Sequence, residues 1–336
     1  MLIYHDKHST VKFSEIDDIT NVLNQNNTFI IADDLLTKLY PEIFLRLKPF
    51  IITSLENNKS LDNYSSCINQ MLSTGIERNV NVIGIGGGIV CDFAGFIAST
   101  YKRGTQLTLI PTTLLAQVDA SIGGKNGLNC NPYKNVIGCF KIPDKTIICT
   151  DFLKTLTNKQ IFEGIAEVLK IAIIYDINLF NYLGELSFDE ILKQNTIKKI
   201  INTSINSKIK IVNQDFYDSG FRNILNFGHT FAHSIEIEYN LSHGDAVAIG
   251  IMTSVNISKK LNIVDPQDYN KVTKLLETLK LSSDFNADLS IVAAVLKNDK
   301  KINNGKIREI LIEGIGKHKF YNFEVDEYIR LINDLH

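Results

Sequence analysis

Residues 79–100 read NVNVIGIGGGIVCDFAGFIAST, in which a β-branched run, a group of glycines and an apolar stretch follow one another. Valine and isoleucine favour strands. Glycines at the end of a strand allow a tight turn and the close approach of a neighbouring group. This order predicts a buried strand at 79–85 that leads through a tight turn into a helix.

The same alternation continues on both sides of this stretch. Strands are predicted at 27–32, 50–53, 107–110 and 146–149, and helices at 35–47 and 61–74. Strands separated by helices are typical of a parallel sheet with crossover helices. From residue 152 onward the pattern is mainly helical, at 159–174, 188–214, 225–239 and 245–261, with one clear strand at 309–313. We therefore expect an α/β, Rossmann-like N-terminal domain at 1–155 and a mainly helical C-terminal domain at 156–336.

Charge and composition narrow the class of protein. The 336 residues carry a net charge of -2 without a basic block, so nothing favours nucleic-acid binding. The N-terminus lacks the features of a signal peptide, and no stretch reaches the roughly 18 apolar residues that span a membrane. The 5 cysteines include no CxxC pair and fit reduced thiols. These observations predict a cytoplasmic protein that binds neither nucleic acid nor membrane.

The glycines at 84–88 form a candidate phosphate-binding turn. At a helix start, their backbone would present N–H groups to a pyrophosphate. The spacing departs from GxGxxG at Ile89, so a plain tight turn is the alternative. Asp92, one turn into the helix, can equally cap or solvate it.

Three later positions extend this candidate site. Thr112 and Thr113 follow the strand at 107–110, where their hydroxyls can bond a cofactor or cap a helix. Lys125 follows two glycines, and Lys134 stands beside Asn135 in the next loop. Each motif is weak alone, and together they favour a site for anionic groups.

Histidines concentrate in the second half of the chain. His229 and His233 are four residues apart and share a helical face, and His243 follows shortly after. Glu167 and Lys170 share a face of another predicted helix, where a surface ion pair is the ordinary interpretation. Three histidines and a carboxylate suit zinc or a similar ion, although any one of these histidines can instead cap or pack.

Six motifs occur along the chain in the order of one known family: GIGGGIVCDFAGFIASTYKRG, IPTTLLAQVDASIGGKNGLN, KNVIGCF, EGIAEVLK, FRNILNFGHTFAHSIE and LSHGDAVAIG. Together they closely resemble the 3-dehydroquinate synthase family, over about Asp33 to Gly316. The resemblance implies an enzyme with NAD+ and a divalent metal, Zn2+ or Co2+, as cofactors.

The resemblance also implies roles for individual residues. The metal ligands would be Glu167, His229 and His243, with His233 on the substrate side. The dinucleotide contacts would be Glu56, Lys59, Gly87, Gly88, Asp92, Thr112, Thr113, Leu115, Lys125, Lys134, Phe152 and Thr155. The catalytic and substrate-binding groups would be Asp119, Lys125, Lys134, Asn135, Lys170, Lys208, Arg222, Asn226, His233 and Lys300. Arg103 would reach the site of a neighbouring subunit, which implies a homodimer.

One departure from the family pattern concerns the turn before Glu56. The family usually has glycine before this glutamate, whereas this chain has Leu55-Glu56-Asn57-Asn58-Lys59. The spacing of Glu56 and Lys59 is kept, and the geometry of the turn is left open.

The implied reaction is a step of the shikimate pathway to aromatic amino acids. It converts 3-deoxy-D-arabino-heptulosonate 7-phosphate to 3-dehydroquinate and phosphate. NAD+ would take a hydride from the C5 alcohol, phosphate would leave, the hydride would return, and an aldol step would close the ring. The metal would polarise the reacting oxygens. Arg222 would grip the substrate carboxylate through two parallel bonds. The acceptor of the C6 proton is either the substrate phosphate or a protein group.

Three other functions are weighed against this one. Sugar phosphate cyclases that make 2-deoxy-scyllo-inosose or a valiolone act on substrates without a carboxylate. A metal-dependent polyol dehydrogenase would accumulate NADH and would need fewer cations. A binding protein that keeps only the fold would turn nothing over. The retained Arg222, Lys208, Asn226 and His233 favour the dehydroquinate reaction.

Overall fold

The computed structural model describes residues 2–4, 7–130, 133–236, 238–281, 288–298 and 305–335. The chain forms two compact units, one made of Met1–Thr157 and Lys208–Tyr217 and the other of Asn158–Ser207 and Asp218–His336. Residues 208–217, expected in the helical domain at 156–336, belong instead to the first unit. Within the described residues, no helix is both long and apolar enough to cross a membrane.

The first unit contains nine strands and four α-helices among its described residues. The strands are β1 (Leu2–Tyr4), β2 (Lys7–Phe13), β3 (Thr28–Asp33), β4 (Phe50–Ile52), β5 (Asn81–Gly86), β6 (Gln106–Pro111), β7 (Lys125–Cys130), β8 (Tyr133–Phe140) and β9 (Lys145–Ile148). The helices are α1 (Ile16–Leu23), α2 (Asp34–Leu39), α3 (Leu61–Ser73) and α4 (Gly88–Thr100).

Seven of these strands form one sheet in the order β1-β2-β9-β6-β5-β3-β4, in which only β1 is antiparallel to its neighbour. Strands β7 and β8 pair as a separate antiparallel hairpin. Both faces of strand β5 are buried. Because alternate side chains of a strand point to opposite faces of the sheet, β5 contributes to two separate clusters. Val82 packs with Phe93 of α4, and Ile83 packs in a second cluster with Ile19 of α1. The predicted parallel sheet with helices is confirmed.

The second unit is mainly helical. Its helices are α5 (Asn158–Ile174), α6 (Ile177–Gly184), α7 (Phe188–Ile191), α8 (Gln194–Gln214, whose last turns belong to the first unit), α9 (His229–Glu236), α10 (His243–Lys260), α11 (Pro266–Thr278), α12 (Leu289–Asn298) and α13 (Val325–Asn333). A two-stranded antiparallel sheet joins β10 (Lys306–Gly314) to β11 (Lys317–Glu324). The predicted helical C-terminal region is confirmed.

Three predicted helices differ from those observed. The helix expected at 35–47 ends at Leu39, where Pro41 opens a separate 3-10 turn because proline disfavours a helical residue before it. The helix expected at 188–214 is divided into α7 and α8. The helix expected at 225–239 begins only at His229, because Gly228 before it has a φ of +75°.

Candidate active site

The glycine turn of the first unit is shaped by close packing. Gly87 is the N-cap of α4, and a Cβ on Gly86 would lie 2.6 Å from Val90 Cγ2. A Cβ on Gly87 would lie 3.3 Å from Thr113 Cγ2, and the Thr112 N–H donates to the Gly86 carbonyl over 2.9 Å. The glycine turn and the two threonines therefore lie against each other at the start of α4, where helix N–H groups can hold an anion.

The capping interpretation of the threonines holds for one of them. The Thr113 hydroxyl accepts a hydrogen bond from the Ala116 N–H over 3.1 Å. Leu115 then leads into a short π-helix, Ala116–Ala120. Such single π-turns are frequent at functional sites. This one carries Asp119, which accepts from Lys208 Nζ at both its carboxylate and its carbonyl oxygen.

A polar cluster surrounds the buried ammonium of Lys59. It lies 2.9 Å from Asp92 Oδ2 and 3.5 Å from Glu56 Oε1, and it donates to Asn135 Oδ1. Burial raises the pKa of Asp92, while the ammonium of Lys59 opposes that shift. Asn129, which the sequence analysis missed, donates to Glu56 Oε1 over 2.8 Å and accepts from the Asn135 N–H. Four residues predicted to contact the cofactor or substrate thus meet in one hydrogen-bonded group.

The turn that carries Glu56 does not need the missing glycine. Leu55 is extended, with φ of -108° and ψ of 137°, and Glu56–Asn58 form a 3-10 turn. A residue with a side chain adopts these angles without strain. The substitution of the family's glycine therefore leaves Glu56 and Lys59 in one salt-bridged turn.

Asp33 is a second residue that the sequence analysis missed. It ends β3, accepts from the Leu35 N–H over 2.8 Å and from the Ser54 hydroxyl, and lies beside Gly86 of the glycine turn. An acidic residue directly after a buried strand was the available signal, since such ends of parallel strands meet at one edge of a sheet.

The other predicted residues of the first unit occupy varied environments. Phe152 is buried in the core and packs edge-on against Tyr40, with ring centroids 5.2 Å apart. The Thr155 hydroxyl lies 3.3 Å from that of Tyr40. Lys125, Lys134 and Arg103 are exposed, on β7, on β8 and in the turn after α4 respectively.

Three side chains converge in the second unit. Glu167 Oε1 on α5 lies 2.9 Å from His243 Nε2 at the start of α10 and 3.5 Å from His229 Nε2 at the start of α9. One ligand atom of each residue lies within 4.8 Å of the other two. The three residues named as metal ligands are therefore brought together from three helices.

The surroundings of Glu167 and His229 favour the protonation states that bind a cation. Burial would raise the pKa of the Glu167 carboxyl, but the Lys170 ammonium and the two neighbouring imidazoles hold it well below 4.5. Burial lowers the pKa of His229, which favours the neutral imidazole. His229 Nδ1 lies 3.0 Å from the Phe227 carbonyl, which leaves Nε2 for a ligand.

His243 is the exception in protonation. Burial would lower its pKa, but Glu167 and Glu236 raise it to about 10. A cation bound by Glu167 would compete with this proton.

The donor set fits a divalent ion. Two imidazoles and a carboxylate are common zinc ligands, and three protein ligands leave coordination positions open. Glu167 Oε2 is buried and pairs directly with Lys170 Nζ. Glu167 and Lys170 form the ion pair that their spacing favours, but both side chains are buried, so the pair does not lie at the surface. Asp245, two residues after His243, accepts a hydrogen bond from the Ser242 hydroxyl and donates its N–H to the same oxygen, which caps the start of α10.

Other predicted residues flank this triad. The His233 ring is exposed, with its centroid 5.3 Å from that of His229. Arg222 is buried and Asn226 half-buried in the 3-10 turn Phe221–Asn226, which precedes α9. Lys300 lies outside the described residues.

Two solved structures of similar proteins identify the fold. The chain resembles 2-deoxy-scyllo-inosose synthase, solved with carbaglucose-6-phosphate, NAD+ and Co2+, at 21% identity with a TM-score of 0.88 over 99% of this chain and 98% of that one. It also resembles 2-epi-5-epi-valiolone synthase from Streptomyces hygroscopicus, solved with NAD+ and Zn2+, at 23% identity with a TM-score of 0.85 over 100% and 99%. The chain therefore has the fold of the sugar phosphate cyclases.

The family follows from sequence. The family model described as 3-dehydroquinate synthase N-terminal matches residues 49–163, and the C-terminal model matches 164–302. A 3-dehydroquinate synthase of Thermoanaerobacter pseudethanolicus is 36% identical over 98% of this chain and 96% of its own length. One of Picrophilus torridus is 37% identical over 95% and 94%. This chain belongs to the 3-dehydroquinate synthase family, which confirms the resemblance.

Proposed function

We propose that this protein is a 3-dehydroquinate synthase, a phosphate-eliminating carbon–oxygen lyase that uses NAD+ and a divalent metal. It converts 3-deoxy-D-arabino-heptulosonate 7-phosphate to 3-dehydroquinate and phosphate. One observation supports this most strongly. Glu167, His229 and His243 converge on one point in a chain of this family.

Each unit has a separate task in this proposal. The glycine turn at Gly87 and Gly88 and the group around Lys59 hold the dinucleotide, while Glu167, His229 and His243 hold the metal. When bound, NAD+ accepts and returns a hydride, and the metal supplies Lewis-acid polarisation of substrate oxygens. The assignment of Zn2+ or Co2+ rests on the chemistry of one carboxylate and two imidazoles.

The charged groups of the second unit suit an anionic substrate. Arg222 is 3% exposed and Lys170 is 2% exposed. A cation with so little exposure attracts an anion more strongly than a cation in water does, because solvent screens its charge less. We assign the substrate carboxylate to Arg222, since a guanidinium binds it through two parallel hydrogen bonds. We assign His233, beside the triad, to proton exchange with the substrate alcohol.

The decisive experiment supplies the purified protein with NAD+, Co2+ and the heptulosonate phosphate. We expect phosphate and 3-dehydroquinate to form in equal amounts with no net rise in NADH absorbance. Steady accumulation of NADH would instead indicate a polyol dehydrogenase, and absence of both products would overturn the proposal.

A second substrate distinguishes the other cyclases. Glucose 6-phosphate carries the phosphate but no carboxylate. We expect no turnover of it, because the assigned partner of Arg222 is missing. Cyclisation of glucose 6-phosphate at a rate equal to that of the heptulosonate phosphate would contradict the assignment.

We also propose a cytoplasmic homodimer in which Arg103 serves the neighbouring subunit. Arg103 is exposed and has a φ of +66° in the turn that follows α4. A non-glycine residue in this conformation is uncommon and often accompanies function. Light scattering of the purified protein tests the dimer. If the protein is a dimer, mixing Arg103→Ala subunits with Glu167→Gln subunits should restore part of the activity that each lacks.

A further inference from the structure

Asn129 is a half-buried residue of β7 to which the proposed function gives no role. Its side-chain amide donates to two oxygens of Glu56, the carbonyl over 2.9 Å and Oε1 over 2.8 Å. Its Oδ1 atom accepts from the Asn135 N–H over 2.8 Å. The amide can face only one way, because the oxygens of Glu56 accept and the N–H of Asn135 donates. One side chain therefore joins the turn at Glu56 to the hairpin of β7 and β8.

The backbone of Asn129 anchors the same turn at its other end. The Asn129 N–H donates to the Lys59 carbonyl over 2.7 Å. Glu56–Asn58 form a 3-10 turn, and Lys59 follows it directly. Because Asn129 holds the carbonyls of both Glu56 and Lys59, it fixes the two residues whose side chains pair over 3.5 Å.

Asn129 also lies opposite an irregularity in the hairpin. A register shift between Leu128 and Cys130 makes Asn129 alone face residues 134–136 of β8. Bulges of this kind redirect a side chain and are common next to active sites. The bulge contains Asn135, which the proposed function assigns to the substrate, so Asn129 contacts the strand where that side chain is set.

The backbone of Asn135 depends on such support. Asn135 adopts a left-handed conformation, with a φ of +53°. This conformation is uncommon for residues other than glycine and persists only where surrounding contacts hold it. Asn129 holds the Asn135 N–H, and Lys59 Nζ donates to Asn135 Oδ1. The backbone and the side chain of Asn135 are thus fixed by Asn129 and Lys59 respectively.

We propose that Asn129 is a positioning residue, which holds Glu56 and Lys59 for the dinucleotide and Asn135 for the substrate in one arrangement. This inference rests on the proposed function, because the binding roles of those three residues belong to it. The donor of the Asn129 amide acts on the cofactor side, and its acceptor acts on the substrate side. Substitutions that keep one of the two should therefore separate the two effects.

The first measurement is NAD+ binding to the full-length protein by titration calorimetry, without turnover. Asn129→Asp keeps the acceptor for the Asn135 N–H at the same shape, but it sets a carboxylate oxygen against the two oxygens of Glu56. We expect the dissociation constant for NAD+ to rise about 10-fold or more, since hydrogen bonds are replaced by repulsion. The matched control is Asn57→Asp, which adds the same charge at an exposed position of the same turn. It should change the constant less than about threefold.

The second measurement is kcat/KM for the heptulosonate phosphate at saturating NAD+. Asn129→Ala removes the donor and the acceptor together, so kcat/KM should fall about 10-fold or more, whereas Asn129→Asp still supports Asn135 and should lose less than about threefold. A role limited to general stability would not separate the two variants in this way, so equal losses would overturn the inference. If Asn129→Ala does not fold, the comparison of Asn129→Asp with Asn57→Asp still decides the question.

Two results separate this inference from the proposed function. If the wild-type protein binds no NAD+, the proposed function is wrong and the inference falls with it. If the wild type binds NAD+ and Asn129→Asp binds it as tightly, only the inference is overturned. An equal rise of the constant in Asn57→Asp would also overturn it, because the added charge alone would then explain the loss.

A reciprocal exchange tests the contact between Asn129 and Glu56 itself. Glu56→Gln can turn its amide towards the carboxylate of Asn129→Asp, so that donor and acceptor change places at constant net charge. The readout is the Tm, because Glu56 is itself a proposed dinucleotide contact. We expect the double variant to melt at a higher temperature than Asn129→Asp alone, since the two changes compensate each other. A Tm no higher than that of the single variant would count against the contact and overturn the proposal.

Discussion

Gly244 lies against the backbone of Glu163, so that a Cβ at position 244 would come within 2.7 Å of Glu163 Cα. Gly244 directly follows the proposed ligand His243, and Glu163 precedes the proposed ligand Glu167 by one helical turn. Two ligand-bearing helices, α10 and α5, therefore touch backbone to backbone beside the triad. This close approach accounts for the 2.9 Å between Glu167 Oε1 and His243 Nε2.

Gly244→Ala should force α10 away from α5. Overpacking of this kind typically lowers the free energy of unfolding by about 1–3 kcal/mol, and we expect weaker metal binding with it. Gly184→Ala is the control, because nothing lies within 4 Å of a Cβ at that position. Urea unfolding and Co2+ titration measure both effects. Equal behaviour of the two variants would contradict the backbone contact.

The histidines of the triad and its neighbour should separate by role. His243→Ala should abolish metal binding and turnover with the fold intact, since it removes one of three ligands. His233→Ala should keep the metal, because its exposed ring lies beside the triad and not within it, yet lose most of its turnover. Metal content by elemental analysis and circular dichroism report on the two variants. Full activity in metal-free His243→Ala would refute the ligand set.

Arg222→Lys should weaken the enzyme far more than a matched surface change. Losing a charge-assisted hydrogen bond typically removes about 1.5–3 kcal/mol, which predicts kcat/KM lower by about 10–100-fold. Lys306→Arg is the control, because Lys306 pairs with Glu324 at an exposed position. Steady-state kinetics with the heptulosonate phosphate compare them, and equal values would argue against carboxylate binding at Arg222.

Stability should depend on pH through Glu309. Burial raises the pKa of Glu309 in the folded protein above 4.5, so the folded chain keeps this proton to higher pH than the unfolded chain. The contribution of Glu309 to the free energy of unfolding therefore falls as the pH rises above 4.5. Glu309→Gln should lose stability relative to wild type in acid and recover it towards neutral pH. A difference that stays constant across urea titrations at each pH would contradict the shift.

Five strands of the large sheet, β3, β4, β5, β6 and β9, were predictable because they are mainly apolar, whereas β1 and β2 were not predicted, and β2 reads KHSTVKF. Strands such as β5, buried on both faces, leave a continuous signal that alternation with helices reinforces. The hairpin of β7 and β8 left no such signal. Its segments, KNGLNC and YKNVIGCF, mix glycine and polar residues, and much of β8 is exposed. Of the hairpin β10–β11, only β10 was predicted, from its apolar run.

Residue type indicated a metal site among the histidines and Glu167, but spacing along the chain could not identify which three residues would meet. His229 and His233 share a face of α9, yet the side chain that meets His229 and Glu167 is that of His243, at the start of another helix. Periodicity describes one helix at a time, so it cannot indicate which helices meet. The resemblance to a family supplied that choice. The burial of Glu309 could not be predicted either, because a glutamate at the start of a predicted strand is ordinarily exposed to solvent.

The division of helix α8 between the two units has a consequence for how the protein is made. Residues 208–217 belong to the first unit, although a long segment of the second unit, Asn158–Ser207, precedes them. A ribosome that has released only the first 157 residues has not yet supplied Lys208, the partner of Asp119. The N-terminal unit therefore cannot complete its fold until the chain has been made as far as residue 217, which includes a segment of the second unit. A gene cut at that border would yield a fragment lacking one of its own ion pairs.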